Sequence, residues 1–248
     1  MKKRKVAIKI STLIVTVLII LLVVSVFATE LVFKNEYDKR DKNDIYWNYD
    51  KISQKPYSHL KITGGNVTNI IFEPGKYPSV RVLKQWEGFK DDSLLTVSVN
   101  NDTLYLNFKN KYKNLNEKNW MQSEVLVRLF APQLLSIDGS DTNFELQKMK
   151  QSNFSINLKG KSRLEVETYD PDFDSLKVVQ RDSSQVIFER SPDLKGTHMM
   201  HFKRVNASMT GYTLLDIGRS YVDDIKLNIS DSSAVILSGK SLKELSKL

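Results

Sequence analysis

The sequence predicts an all-β protein, a β-solenoid of stacked repeats that is preceded by one transmembrane helix. Three observations carry this prediction: an uncharged apolar run near the N-terminus, short segments that alternate apolar and polar residues, and a spacing that recurs between those segments. Of the 248 residues, about 190 remain for folding after the membrane segment and a linker. That length suits one domain or a short repeat array.

The apolar run covers residues 10–29 and contains no charged side chain. A helix of this length spans about 30 Å, the thickness of the hydrocarbon core of a bilayer. Five basic residues and no acidic residue precede the run, and such a positive cluster stays in the cytoplasm. The sequence therefore predicts a single-pass membrane protein with a cytoplasmic N-terminus.

The alternative for this segment is a cleaved signal peptide. Val26-Phe27-Ala28 offers small or moderate residues where a peptidase could cut. The apolar run is longer than the hydrophobic region of a typical signal peptide, so we favour an uncleaved anchor.

Residues 30–57 combine dense charge with aromatic side chains and show neither the helical nor the strand period. We interpret them as a juxtamembrane stalk. Tyr46, Trp47 and Tyr49 in this segment could stack on a ligand, but we favour packing against the first repeat.

Composition excludes several classes of function. The formal charge is +8, but five basic residues precede the membrane segment, which leaves 32 basic against 29 acidic residues after it. A nearly neutral remainder without a basic stripe does not predict nucleic-acid binding. The chain contains no cysteine, which excludes disulfides, thiolate metal sites, a cysteine nucleophile and a lipid anchor on cysteine.

Six pairs of short strands share one internal spacing. The two strand residues lie eight apart in five pairs and seven apart in the last: Ile62 and Ile70, Ile156 and Leu164, Val178 and Val186, Ala207 and Leu215, Leu227 and Val235, Ile137 and Phe144. Two residues before each second strand stands a small hydroxyl residue: Thr68, Thr142, Ser162, Ser184, Thr213, Ser233. Four residues before it stands a turn former: Asn66, Ser140, Gly160, Asp182, Gly211, Asp231.

Each unit is thus strand, tight polar turn and strand. Units in the C-terminal half begin 19, 22, 29 and 20 residues apart, which is typical of coils that bury their apolar faces against one another. Alternation places Ile156, Leu164 and Val166 inward and Glu165 and Glu167 in water. A β-sandwich is the structural alternative. Hairpins give no reason for one turn chemistry to recur, so we favour the solenoid.

Two regions fit the spacing less well. Residues 80–129 contain good strands with a turn at Asn100-Asn101-Asp102, and we expect antiparallel pairing there. Residues 241–248 place three leucines on one helical face, and we expect an amphipathic turn that covers the last open edge. The predicted organisation is a cytoplasmic tail at 1–9, a signal-anchor helix at 10–29, a stalk at 30–57, the β-solenoid domain at 58–240 and a cap at 241–248.

Several stretches resemble the bacterial head GIN domain family, whose members are named as auto-transporter adhesins: LKITGGNVTNIIFEPGKYPSVRV, LLTVSVNNDTLYLNF, LLSIDGSDTNFEL and FSINLKGKSRLEVE. The resemblance covers about residues 58–240. It implies a right-handed single-stranded parallel β-helix, export from the cytoplasm and an adhesin-like role. This chain departs from the family in having fewer turn glycines, as at Asp182 and Asp231, and a membrane helix in place of a cleaved or lipidated leader.

The sequence predicts no catalytic residue, no metal site and no cofactor, and it does not identify the residues that bind a ligand. Asp170, Asp172 and Asp174 alternate like calcium ligands, but the loop glycine is missing and Arg181 stands at the twelfth position, so a solvated turn is the better interpretation. His198 and His201 have a spacing that can hold zinc on a helix, but no third ligand is near in sequence. Ser183 and Ser184 lack a neighbouring histidine, and no catalytic motif occurs.

The leading functional hypothesis is a non-enzymatic, adhesin-like binding module that presents its sheet faces to a polysaccharide or an envelope protein. It is placed in the bacterial inner membrane, with its C-terminal domain periplasmic or extracellular. Trp86, Phe89, Tyr105 and Trp120 could be contacts, although we favour packing for each. The alternatives are an envelope polysaccharide lyase or hydrolase, since such enzymes cluster acids on one sheet face, and a structural or sensory partner of another envelope protein.

Overall fold

In the computed structural model the chain forms two compact units, Met1–Trp47 and Asn48–Leu248. The structure describes residues 10–39, 41–66, 68–84, 86, 95–109, 125–149, 151–168, 172–190, 200–218, 220–239 and 241–242. The predicted cytoplasmic tail and most of the predicted C-terminal cap lie outside these residues.

The first unit contains one helix, α1, at Ile10–Asp38. Its 29 residues give a length of about 44 Å. It is the one helix of the described chain that is long and apolar enough to cross a membrane, and none of its side chains is buried. The helix includes the predicted span 10–29 and continues for nine residues beyond it, through a segment that we assigned to the stalk.

The second unit contains two sheets. The first sheet has the order β1-β4-β7-β3-β9-β11-β14-β16-β18. Its strands are β1 Tyr49–Ser53, β3 Asn69–Pro74, β4 Ser79–Leu83, β7 Val125–Ala131, β9 Asn143–Met149, β11 Arg163–Thr168, β14 Gln185–Arg190, β16 Leu214–Asp216 and β18 Ala234–Ile236.

The second sheet has the order β12-β15-β13-β10-β8-β2-β6-β5, and β17 also pairs with β15. Its strands are β2 His59–Thr63, β5 Leu95–Asn100, β6 Thr103–Phe108, β8 Ser136–Ser140, β10 Asn153–Lys159, β12 Asp172–Phe173, β13 Ser175–Gln180, β15 Met200–Met209 and β17 Ser220–Ile229.

The prediction of a right-handed single-stranded parallel β-helix is wrong. Both sheets mix parallel and antiparallel pairs: β4 runs antiparallel to β1 and β7, and β5 runs antiparallel to β6. The chain also does not progress coil by coil, because β2 pairs directly with β8 and β3 with β9. The physical cause of one reversal is a two-residue turn, in which Asn101 and Asp102 have φ of 47° and 59° and force a hairpin.

The repeat spacing nevertheless identifies which residues pair. In the second sheet Ile137 pairs with Ile156, Ile156 with Val178, Val178 with Ala207, and Ala207 with Leu227, all in parallel. The first sheet repeats this arrangement through Phe144, Leu164, Val186, Leu215 and Val235. The first strand pair of the repeat is shifted by two residues in the second sheet, because Leu60 and not Ile62 faces Ile137.

The recurring hydroxyl residues lie at the turns between the sheets. Ser162 Oγ donates to Lys159 O at 2.6 Å and accepts from the backbone N of Thr142 at 3.2 Å. Thr213 Oγ1 donates to Ser233 Oγ at 2.9 Å one repeat further on. Small hydroxyl side chains fit this tight corner, and four of the six donate to backbone carbonyl groups there: Thr68, Ser162, Ser184 and Ser233.

One apolar core joins the two sheets. It contains inward residues of both, among them Ile156 and Val178 of the second sheet and Phe144 and Leu164 of the first. Tyr57, which the sequence placed at the end of the stalk, is also buried, and its hydroxyl donates to Phe130 O at 2.9 Å. Because β1 pairs with β4, the described second unit begins ten residues before the predicted domain boundary at 58.

Candidate functional site

The outward side of the second sheet carries an array of side chains that are polar except for Val179, and we call it the polar face. Strand pairing aligns its residues in two rows that cross seven strands: Thr103, His59, Ser136, Ser155, Lys177, Asn206 and Lys226 in one, and Tyr105, Lys61, Asp138, Asn157, Val179, Ser208 and Asn228 in the other. At about 4.8 Å between strands, each row extends for about 29 Å. The array is long enough for an extended polymer.

Side chains in the middle of the polar face hold one another in place. Asn157 Nδ2 donates to Asp138 Oδ1 at 3.2 Å, and Lys61 Nζ lies 3.7 Å from Asp138 Oδ2. In the other row His59 Nδ1 and Ser136 Oγ are 2.7 Å apart. Exposed pairs of this kind add little stability, at most about 1 kcal/mol each. Their effect is to fix the directions in which these donors and acceptors point.

The C-terminal end of the same sheet brings together His201, Tyr221 and Asp223. The rings of His201 and Tyr221 are stacked with centroids 4.1 Å apart, and His201 Nε2 lies 2.8 Å from Asp223 Oδ2. The sequence considered His201 with His198 as a zinc pair, but His198 lies outside the described residues. Within the described chain no group of three side chains is arranged to hold a metal ion.

Asp174, considered as a calcium ligand, forms an ion pair with Lys203 of the neighbouring strand. The hydrogen bond and the charge of Lys203 lower the pKa of Asp174 from its usual value. Asp170 lies outside the described residues, and the backbone of Asp172 pairs with His201. In the structure Asp174 therefore pairs with the ammonium group of Lys203.

The outward side of the first sheet carries a different arrangement, an acidic trio of Glu145, Glu165 and Glu167. Glu145 and Glu165 face one another on neighbouring parallel strands. Burial raises the pKa of Glu145, and the charges of the other two glutamates raise it further. Gln147 Nε2 donates to Glu145 at 2.6 Å, and Arg163 Nε donates to Glu165 at 2.8 Å. The sequence analysis missed this trio, although the 20-residue spacing of Glu145 and Glu165 was a usable signal.

Most of the other residues that the sequence offered as candidates pack in the core or bond other parts of the chain. Ser184 is fully buried and donates to Leu158 O at 3.4 Å, and Asp182 has a φ of 64° and accepts from Gly160 N at 2.8 Å. Tyr49 donates to Val125 O at 2.7 Å. Trp86 packs against the core, with its ring 6.3 Å from that of Phe108. Of the candidate contact residues Tyr105 lies on the polar face, whereas Phe89 and Trp120 lie outside the described residues.

A cleft of about 340 Å³ lies at a corner where the chain crosses from the first sheet to the second. Pro74 at the end of β3 lines it, together with residues that precede β8 and β10. No spacing or motif in the sequence pointed to it, because its residues come from the end of β3 and from the two connections that lead into β8 and β10.

No protein-family model and no curated protein matches the chain. Some solved structures are similar to it. A "putative adhesin" of Bacteroides fragilis is 11% identical with a TM-score of 0.39, over 76% of this chain and 95% of that one. A "putative lipid binding protein" of Parabacteroides distasonis is 14% identical with a TM-score of 0.41 over the same shares. A "putative cell adhesion protein" of Clostridium sporogenes is 9% identical with a TM-score of 0.30, over 76% and 96%.

At TM-scores below 0.5 these likenesses support no inference about this chain. Adhesin names occur among the similar structures, but no family model matches, so membership of the head GIN domain family stays a prediction.

Proposed function

We propose that the chain is a membrane-tethered, non-enzymatic binding module whose polar face binds an extended polysaccharide of the cell envelope. The observation that supports it is the pair of polar rows across seven strands, in which Lys61, Asp138 and Asn157 fix one another. Sugar hydroxyl groups both donate and accept hydrogen bonds, and the polar face offers amide, hydroxyl, carboxylate and ammonium groups in register.

The helix α1 supplies the tether in this proposal. It spans the inner membrane of a bacterium as an uncleaved anchor with residues 1–9 in the cytoplasm, and the second unit lies in the periplasm or outside the cell. A polymer of the envelope is then the extended ligand within reach. The domain that binds it begins at Asn48, since β1 belongs to the sheet.

The test is binding of the full chain in lipid nanodiscs to a panel of soluble peptidoglycan strands and capsular polysaccharides. We expect saturable binding to at least one of them. The triple variant Lys61→Ala, Asp138→Ala and Asn157→Ala should weaken it about tenfold or more, since one well-made polar contact contributes about 1.4 kcal/mol.

A matched control removes the same kinds of group from the first sheet. Lys84 and Asp50 form an exposed ion pair there with a separation of 4.0 Å, and Gln185 supplies an amide. The triple variant Lys84→Ala, Asp50→Ala and Gln185→Ala should bind like the unchanged chain. Equal loss in both triple variants, or no loss in the first, would show that the polar face is not the binding surface.

An envelope polysaccharide hydrolase is the second candidate, and the acidic trio favours it. Glycosidases use two neighbouring carboxyl groups as acid and base or nucleophile, and the trio places Glu145, whose pKa is raised, beside two other carboxyl groups. The same polysaccharide panel separates the two proposals through the release of new reducing ends. If the unchanged chain releases reducing ends and Glu145→Gln does not, the hydrolase replaces the binding proposal. Binding without such release favours the binding module.

A further inference from the structure

The cleft at the sheet corner is lined by none of the residues that form the two rows of the polar face. Its volume of about 340 Å³ lies at the small end of the range for ligand pockets, which is about 300–1,000 Å³. A pocket of this size holds one compact group and not a folded segment of a partner protein. Its lining combines apolar side chains, Pro74, Pro132 and Leu135, with polar ones, Gln133, Ser152 and Asn153.

The backbone around the cleft is held in place by internal hydrogen bonds. Gln151 accepts from Leu134 N at 3.0 Å and donates to Leu134 O, so that one side chain satisfies both backbone groups of a buried residue. Leu135 N donates to Ser58 O at 2.7 Å, and Ser155 N donates to Leu135 O at 3.0 Å. Asp174 N donates to Ser152 O at 2.8 Å. A ligand therefore meets walls that are already ordered, which reduces the entropy lost on binding.

The polar side chains of the lining are neutral, and the Ser152 hydroxyl among them hydrogen-bonds Asp174. Neither the side-chain amide of Gln133 nor that of Asn153 hydrogen-bonds another residue in the described part of the chain, and both residues are exposed. No ionisable side chain is among the described residues that line the cleft. A charged ligand would have to leave water without an opposite charge here, so the lining favours a neutral one.

Apolar and amide groups together narrow the ligand class. The ring surfaces of Pro74 and Pro132 and the side chain of Leu135, which is 37% exposed, accept a face rich in C–H groups. Free primary amides pair with another amide by donating and accepting at once. A pyranose that carries an acetamido group offers a C–H face, a methyl group, an amide and hydroxyls within one compact ring. We propose that the cleft binds an N-acetylhexosamine residue.

The probe is N,N′,N″-triacetylchitotriose, titrated by calorimetry against the full chain in lipid nanodiscs. Cellotriose, which has the same linkage and no acetamido group, is the ligand control. We expect the acetylated trimer to bind and cellotriose to bind at least about tenfold more weakly, because the amides of the cleft then lack partners. No binding of the acetylated trimer, or equal binding of the two sugars, overturns the proposal.

Variants assign the binding to the cleft. The double variant Gln133→Ala and Asn153→Ala should weaken the acetylated trimer about tenfold, and Leu135→Arg should abolish binding by filling the cleft. Asn43→Ala with Gln54→Ala, which removes two exposed amides outside both the cleft and the polar face, is the matched control and should have no effect. Unchanged affinity in Leu135→Arg contradicts the proposal.

The polar-face triple variant keeps the two proposals separate. It should bind the acetylated trimer like the unchanged chain while losing the extended polysaccharide. Loss of the trimer in that variant, with retention in Leu135→Arg, would move the sugar site from the cleft to the polar face.

Discussion

Replacement of Phe202 by alanine is expected to lower the free energy of unfolding of the second unit by about 4 kcal/mol. The Phe202 ring is fully buried between the rings of Phe173 and Phe188, at centroid distances of 5.0 Å and 5.4 Å. Alanine leaves a cavity and removes two aromatic contacts, each of which contributes about 1 kcal/mol beyond burial. Because Phe173 lies on β12 and Phe188 on β14, this one ring packs against both sheets.

The measurement is urea unfolding of the full chain in nanodiscs, followed by tryptophan fluorescence. Tyr212→Ala is the control, because Tyr212 is 80% exposed and its removal should change stability by less than about 0.5 kcal/mol. Similar midpoints for Phe202→Ala and Tyr212→Ala would show that the aromatic cluster does not hold the sheets together.

Replacement of Arg128 by methionine is expected to cost about 3 kcal/mol. Arg128 lies 2.8 Å from Glu73, whose side chain is 9% exposed, and its guanidinium also lies over the ring of Tyr49 at 5.5 Å. Methionine keeps most of the packing but removes the closest cation from a nearly buried carboxylate, which still has Lys148 at 3.3 Å. The loss comes from the weaker compensation of this charge, since removal of one partner of a buried pair costs more than the pair contributes.

A double variant tests this explanation. Glu73→Leu combined with Arg128→Met removes both charges, so it should recover most of the stability lost in Arg128→Met. Lys61→Ala is the control for an exposed ion pair and should cost less than about 1 kcal/mol. A double variant that is less stable than Arg128→Met would mean that the two side chains contribute independently.

The sequence predicted the repeat register because alternation and turn chemistry are local properties. Ile156 with Val178 and Leu164 with Val186 pair as the eight-residue spacing requires, and the turn hydroxyls lie at corners. The spacing also indicated where the pattern weakens, in residues 80–129, and the hairpin at Asn101 and Asp102 lies there.

The overall topology was not predictable in the same way. Nothing local indicates that β7 inserts between β3 and β4, since this depends on which long-range pairing buries the most apolar surface. The prediction of a single-stranded β-helix was wrong for this reason. The stalk prediction for residues 30–57, which include Tyr49 and Tyr57, arose because the short strand β1 has no alternating pattern.

The candidate sites also differ in whether local sequence patterns or long-range contacts determine them. The polar face follows from alternation once the register is known, because Asp138 and Asn157 are both outward residues of paired strands. The corner cleft and the acidic trio depend on which connections and strands become neighbours in space. Gln133 and Asn153 are ordinary polar residues in sequence, and only the fold places them around one cavity.

Disulfide trapping tests most directly whether neighbouring repeats lie side by side, the arrangement that builds the polar face. The chain has no cysteine of its own, so a pair introduced as Ser136→Cys and Ser155→Cys reports on that contact alone. Paired strands lie about 4.8 Å apart, within the reach of a disulfide, whereas Ser136→Cys with Lys177→Cys spans two strand intervals, about 9.6 Å, and exceeds it. We predict rapid intramolecular oxidation of the first pair and none of the second, and the opposite result, or equal rates, would contradict the account.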